Sequence, residues 1–494
     1  MTIESSQGTQ TEQALLNKVP KGLFIAGEWR EAAGGATFAV EDPSTGAVLA
    51  HVADASAADG TLALDAARAA QASWAATPPR ERSDILDRAY HDVLDRLEEF
   101  ALVITLEMGK PLAESRGEVR YAADFLRWFS EQAVRIRGDY RVSPDGQSRL
   151  LTLRQPVGPS LLISPWNFPL AMITRKVAPA LAAGCTAVLK PAEDTPLTCQ
   201  LLTQVLSDAG VPSGVLSVLP TSDPAGLVAP MLADQRLRKV SFTGSTAVGQ
   251  QLLVGAAQNV LRTSMELGGN SAFLVFDDAD LEAAVEGALV AKLRNGGESC
   301  VAANRILVQS GVAEEFSQQL ADRIGQVSVG RGTEPGTQLG PMINRQQRDR
   351  VQLLVDDAVR SGATVVTGGS APDSAGYFYE PTVITGVSAS ARITHEEVFG
   401  PVAPVYTFDT EDEAVRVAND TPFGLVSYAY TRDVGRALRV AEALEAGMVG
   451  VNRGLVSNAA APFGGVKQSG LGREGGFEGI EEYLSVKYVA MDKP

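Results

Sequence analysis

Cysteine and histidine are scarce: a chain of 494 residues carries three of each. His51, His91 and His395 lie far apart, no His/Cys cluster has metal-ligand spacing, and HExxH does not occur. A GxSxG nucleophile elbow is missing as well, so each histidine reads as an ordinary surface or packing residue. Cys185, Cys199 and Cys300 form an odd set with no close pairing, which makes no disulfide framework and suits a reducing compartment. Apolar runs fall short of the ~18 residues that suggest a membrane helix. The polar amino terminus lacks the charged-then-apolar pattern of a signal peptide. Positive charge is in deficit too, 43 Lys and Arg against 59 Asp and Glu, for a formal net charge of −16. Such an excess repels nucleic-acid backbones and anionic membranes. Together the absences predict a cytoplasmic protein without nucleic-acid, membrane or metal partners.

What is present is the balance of a soluble globular chain, 45% hydrophobic and 21% charged. The length exceeds one ordinary core, so two or three domains are expected. From about Leu150 apolar runs alternate with amphipathic ones. "SLLIS" (160–164), "TAVLK" (186–190), "GVLSVLP" and "KVSFT" (239–243) read as strands. Between them "MITRKVAPALAAG", "PLTCQLLTQVLSDAG" and "STAVGQQLLVGAAQ" read as helices, the first ended by Gly184. A second block runs from "SAFLVF" (271–276) through "DDADLEAAVEGALVAKLR", "RILVQ" and a long helix after "GVAEEF". Residues 55–135 are mostly helical in pattern, as in "ERSDILDRAYHDVLDRLEEFALVIT". This alternation predicts βαβ units, parallel sheets and two α/β domains.

Ligands of such sheets sit beyond the carboxyl ends of the strands. Three strand ends therefore stand out: "ISPWNFP", "VLKPAED" and "SFTGSTAVG". In the last, Gly244 ends a strand and Ser245 opens a helix, a place where backbone N–H groups could meet a phosphate. The GxGxxG fingerprint is absent, and a glycine-capped turn alone is a weak signal. Lys190 could pair with a ribose or phosphate oxygen, and Glu193 could accept from ribose hydroxyls. The bland alternative is a strand-end lysine and a helix-opening acid, with Pro191 and Pro196 as boundary signals. The three ends together tilt toward a dinucleotide.

"PWNFP" (165–169), "VLKPAE" (188–193), "FTGST" (242–246), "ELGGN" (266–270), "GGESC" (296–300), "EEVFGP" (396–401) and "PFGGVKQSGLGRE" (462–474) occur in that order. This series resembles the NAD(P)-dependent aldehyde dehydrogenase superfamily over about residues 23–489, with succinate-semialdehyde dehydrogenases the nearest likeness. The resemblance implies a Rossmann-like cofactor domain (1–138 and 159–270), an α/β catalytic domain (271–450) and a small β oligomerisation extension (139–158 and 475–494). It implies Cys300 as catalytic nucleophile, with the Asn167 amide and the Cys300 backbone N–H as oxyanion hole. Gly296 and Gly297 then leave room for substrate and for backbone to approach. Glu266 becomes the general base for hydrolysis; the residue pattern alone reads it as a solvated turn residue. Trp166, Lys190, Glu193, Gly244, Ser245, Leu267, Glu397 and Phe399 are implied to line the dinucleotide.

Cys185 and Cys199 match no motif position and read as packed thiols. Some relatives carry a second cysteine two residues after the nucleophile; here Ala302 stands there, which puts that redox switch in doubt. Arg175, Arg294 and Ser457 resemble residues that hold the distal carboxylate of succinic semialdehyde, a task that suits arginine's planar fork. Solvated helix-surface arginines are the plainer reading of Arg175 and Arg294. NAD is expected over NADP, because Glu193 would repel a 2′-phosphate. Exposed strand edges call for pairing, so a homo-oligomer, dimer or tetramer, is expected. Three rivals stay open: glutarate semialdehyde or another small aldehyde as substrate, CoA as acyl acceptor in place of water, and a non-catalytic protein on the same fold.

Overall fold

A computed structural model describes the backbone of residues 3–492 and the side chains of residues 10–492; the outermost residues of the expected cofactor and extension segments, 1–2 and 493–494, lie outside it. Among the described residues the strands form four sheets. The first is built on five parallel strands, Arg262–Glu266, Lys239–Thr243, Ser160–Ile163, Ala187–Lys190 and Leu216–Val218 in spatial order. Chain order runs outward in both directions from Ser160–Ile163, so the topological switch lies between it and Lys239–Thr243. That is where an open α/β sheet forms its ligand crevice. Short antiparallel strands close the edges: Leu23–Ile25 and Glu28–Arg30 on one side, Gly470–Leu471 on the other.

The second sheet has the order Thr364–Thr367, Thr382–Thr385, Val402–Phe408, Ala303–Gln309, Ser271–Val275, Val426–Tyr430, Met448–Val451. All of its pairings are parallel except the first. The central strands of both sheets are buried on both faces, which explains their unbroken apolar runs. The third sheet, Leu484–Asp492, Ser148–Pro156 and Asp139–Val142, is antiparallel and mostly exposed. Residues 475–483 do not join it. Ile480 and Tyr483 pack in the first core, and pairing starts only at Leu484.

Local signals explain most boundaries. Ser56 and Asp59 form a capping box that starts the helix Ala57–Ala76. Gly184, at φ 89°, ends the helix Ala171–Ala183 in the left-handed conformation expected of it. The helical pattern of 81–105 resolves into two helices, Pro79–Asp95 and Leu97–Met108, broken at Arg96. The first is amphipathic on the surface, whereas the second is buried from Phe100 to Met108, so the chain turns inward between them.

Gln71 ties the helix Ala57–Ala76 to the segment leading into strand Ala187–Lys190. Its amide donates to the Gly184 carbonyl at 2.9 Å, and its oxygen accepts from the Thr186 N–H at 2.9 Å. Replacing it with leucine strands two buried backbone groups. Gln71→Leu is expected to lower unfolding free energy by about 2–3 kcal/mol, read from denaturant midpoints, with turnover at 25 °C unchanged. An unchanged midpoint would show that these groups find other partners.

Candidate active site

The crevice lies where the two sheets meet. The chain leaving strand Ser160–Ile163 carries Pro165–Phe168, and strand Arg262–Glu266 ends in the Leu267–Asn270 segment that leads into the second sheet. The facing side comes from the turn after helix Leu281–Leu293, which holds Cys300. One cavity, enclosing about 160 Å³, is walled by Trp166, Asn167, Gly244, Glu266, Cys300 and Phe399 among others. A second, narrower one is walled by Tyr121, Phe168, Arg175, Arg294, Ser457 and Phe463. Cys300 and Met172 line both. The thiol therefore stands at the junction of two compartments. Cys185 and Cys199 are sealed in the core.

Asn167 is buried and held from several sides. Its side-chain amide donates to the Glu298 backbone carbonyl at 3.0 Å, and its backbone carbonyl accepts from Lys110 Nζ at 2.8 Å and Asn295 Nδ2 at 2.9 Å. Lys110 in turn pairs with Glu118 at 2.5 Å, and Glu118 Oε1 accepts from the backbone N–H groups of Leu170 and Ala171. One ionic pair thus fixes both Asn167 and the start of the helix that carries Arg175.

Glu266 is 3% exposed, and neither of its carboxylate oxygens has a hydrogen-bond partner. The solvated-turn reading of this residue fails because Gly464, from a distant segment, packs against the carboxylate. Burial raises its pKa well above the usual range. Glu474 adds to the rise, and Arg175, Lys176 and Arg473 oppose it. Burial also pushes the Cys300 thiol up to about 12, with Arg175 the first opposing charge. The thiol is therefore protonated at neutral pH. Glu397 accepts from the Gly269 N–H at 3.0 Å, and burial raises it to about 7.

Two glycine expectations change in detail. Gly244 gives its N–H to the Glu266 carbonyl at 3.0 Å, so that amide is already engaged. Glycine is needed there because a Cβ would overlap the Phe242 ring. The helix Thr246–Ala257 still opens at the cavity wall, capped by the Ser245 hydroxyl. Gly297 does not make room for substrate: its Cβ would overlap the Gly400 carbonyl, and its φ is +74°. The glycine pair lets the cysteine turn lie against the segment that carries Phe399, whose ring meets Trp166 edge-on at 5.4 Å. Leu267 lines the same cavity. Lys190 and Glu193 do not; they pair with each other at 2.9 Å, Lys190 buried and Glu193 half exposed.

On the other side, neither arginine is a solvated surface residue. Arg175 is 1% exposed, its guanidinium 4.1 Å from the Phe463 ring and its Nε 3.3 Å from Glu474. Arg294 is half buried over Phe168 at 4.8 Å. Ser457 shares their cavity.

A family model described as "Aldehyde dehydrogenase family" matches residues 29–489. The chain belongs to the aldehyde dehydrogenase family. It is 59% identical over 447 residues to a succinate-semialdehyde dehydrogenase of Paenarthrobacter nicotinovorans, covering 90% of this chain and 99% of that one. A glutarate-semialdehyde dehydrogenase of Pseudomonas putida is 48% identical over 469 residues, with 95% and 97% covered. The crystal structure of a Staphylococcus aureus betaine aldehyde dehydrogenase in complex with NAD+ superposes with a TM-score of 0.95 at 36% identity, covering 98% and 97%. The aldehyde dehydrogenase fold expected from the motifs is the fold observed.

Within this aldehyde dehydrogenase site, reading the sequence passed over Glu474, Lys176, Tyr121 and Lys110. Glu474 closes the quoted motif "PFGGVKQSGLGRE", so its place was visible and its electrostatic part was not. Glu474, paired with Lys176 at 2.6 Å, is the foremost charge acting on Glu266, followed by Arg175 and Lys176. In the folded chain Glu266 keeps its proton above the pH at which an unfolded glutamate, at about 4.3, releases it. The folded state then binds more protons, so stability falls as pH rises from the unfolded value toward the raised folded one. Glu266→Gln never ionises and escapes that loss. Its thermal midpoint is expected to gain on that of the unsubstituted chain as pH rises above about 4.3; a margin independent of pH would contradict a raised Glu266 pKa.

Proposed function

We propose that the chain oxidises succinic semialdehyde, or a similar carboxylated aldehyde, to the dicarboxylic acid through a covalent thioester on Cys300, with NAD preferred over NADP. The observation that carries this reading is the place of Cys300 between a cavity holding Glu266 and one holding Arg175, Arg294 and Ser457. The substrate carboxylate is held by Arg294 and Arg175 with Ser457, which sets the aldehyde carbon at the thiol. Cys300 passes its proton to solvent, and its sulfur bonds the carbonyl carbon as the C=O π pair moves onto oxygen. The oxyanion of the resulting thiohemiacetal is met by the Asn167 amide and the Cys300 backbone N–H. Loss of hydride from that carbon, for which a bound nicotinamide would supply the acceptor, leaves a thioester on Cys300. Glu266, ionised, then accepts a proton from water, whose oxygen displaces the thiolate and completes the acid.

Trp166, Gly244, Ser245, Leu267, Glu397 and Phe399 would hold the dinucleotide, and the helix start beside Gly244 suits its phosphates. Lys190 and Glu193 would hold its adenosine ribose; the half-exposed Glu193 carboxylate accepts ribose hydroxyls and disfavours a 2′-phosphate. The buried, unpartnered Glu266 favours water over CoA as acyl acceptor. Arg175 already faces Glu474, so Arg294 is the freer cation.

The same reading assigns residues 1–138 and 159–270 to cofactor binding, 271–450 to catalysis, and the sheet formed by 139–158 and the terminal strand to pairing of subunits in a homo-oligomer. Exposed Tyr140, Val142, Val486 and Tyr488 on that sheet support the last point. No described helix is long and apolar enough to cross a membrane. Three free cysteines accord with a reducing cytoplasm.

Two measurements test the proposal. Cys300→Ser is expected to abolish NADH formation with the fold intact, since a serine hydroxyl is not appreciably ionised; turnover like the unsubstituted enzyme would overturn the nucleophile. A panel of aldehydes, each with NAD and NADP, should favour succinic semialdehyde and NAD. Arg294→Ala should then cost roughly one to two decades in kcat/KM for succinic semialdehyde and little for butyraldehyde. Equal losses would remove the clamp.

A further inference from the structure

Tyr121 matches none of the motifs, yet it stands where the substrate must pass. It lies on the helix Leu112–Ala133, which packs against the Arg175 helix. The inner cavity beside Cys300 and a wider outer depression share four residues, Tyr121, Phe168, Arg294 and Ser457. These four form the throat between solvent and the thiol. Tyr121 is the only one of them in hydrogen-bond contact with Arg175.

That contact leaves a donor free. Arg175 Nη2 donates to the Tyr121 hydroxyl oxygen at 3.2 Å, so the tyrosine spends a lone pair and keeps its proton. Among the described residues, no acceptor takes that proton. The other guanidinium nitrogens are turned elsewhere, Nε toward Glu474 at 3.3 Å and Nη1 toward the Met172 sulfur at 3.3 Å. Arg175 therefore meets the throat as a cation balanced by Glu474, with Tyr121 interposed. An acceptor hydroxyl bound to a guanidinium is polarised and becomes a better donor. The phenol is also preset, because the Phe125 ring meets it edge-on at 5.0 Å.

We propose that Tyr121 is a specificity-determining residue for carboxylated aldehydes: its hydroxyl, held by Arg175, donates to the substrate carboxylate beside Arg294 and Ser457. This rests on the arginine-clamp reading above. A carboxylate offers about four acceptor positions, more than one guanidinium fork fills. An uncharged aldehyde leaves the donor without a partner, and sites built around such a donor reject analogues that lack the acceptor.

The test is Tyr121→Phe in the intact enzyme, with steady-state kinetics on succinic semialdehyde and butyraldehyde and a thermal midpoint. The phenylalanine ring preserves the packing against Phe125, and loss of the oxygen that Arg175 Nη2 meets should lower the midpoint only modestly, with the fold retained. The expected result is a KM for succinic semialdehyde raised on the order of tenfold, kcat within about twofold, and a butyraldehyde kcat/KM unchanged or raised. A fall in kcat for both aldehydes would make Tyr121 a prop for the buried charges and overturn the proposal. Retention of the full preference for the acid would overturn it as well, leaving the clamp standing. If the unsubstituted enzyme shows no preference for the acid over butyraldehyde, the clamp reading itself falls and this inference falls with it.

Discussion

A single carboxylate, Glu474, lies between two buried cations, and much of the site depends on that pairing. Lys176 is 2.6 Å from one oxygen and Arg175 is 3.3 Å from the other. Both cations come from the helix Ala171–Ala183 of the first unit; Glu474 comes from the chain that returns after the second. Buried charges persist only when paired, because desolvating an unpaired one costs far more than any packing gain recovers. The ion group therefore fixes where the returning segment sits. That segment supplies strand Gly470–Leu471, which pairs with Met265 and Glu266, and Gly464, which walls the Glu266 carboxylate.

Electrostatic consequences follow from this arrangement. Glu474 places a negative neighbour near Glu266 and, together with burial, raises its pKa, while Arg175 and Lys176 limit the rise. Arg175 does the same for Cys300 in the favourable sense, opposing the desolvation of its thiol. One arginine thus influences the Cys300 thiol, the Glu266 carboxyl and the Tyr121 hydroxyl. Glu474 and Tyr121 hold it in place, whereas Arg294 lies over the Phe168 ring and has no ion-pair partner among the described residues.

Much of the architecture was legible in the residue pattern. Strands buried on both faces tend to be continuous apolar runs, and helix ends must satisfy orphan backbone groups, so "SAFLVF" and "MITRKVAPALAAG" announce their states locally. The ordered motifs located the cysteine turn and the strand ends in the same way. The long helical pattern of 81–105 concealed a break at Arg96, since amphipathic and fully buried helices share one period and differ only in what surrounds them.

The sequence by itself therefore determined the βαβ alternation, the family and the identity of the chemical groups. Tertiary structure alone decided their states. Glu266 looks like a turn residue until Gly464 and strand Gly470–Leu471 exclude water from it. Gly244 and Gly297 look like openings for ligand until Phe242 and the Gly400 carbonyl are seen to fill the space a Cβ would take. Arg175 and Arg294 look alike until one is found facing Glu474 and the other lining the throat. The physical reason is common to all three. Backbone period and capping are written in neighbouring residues, whereas desolvation, charge pairing and close approach depend on atoms brought together from remote parts of the chain.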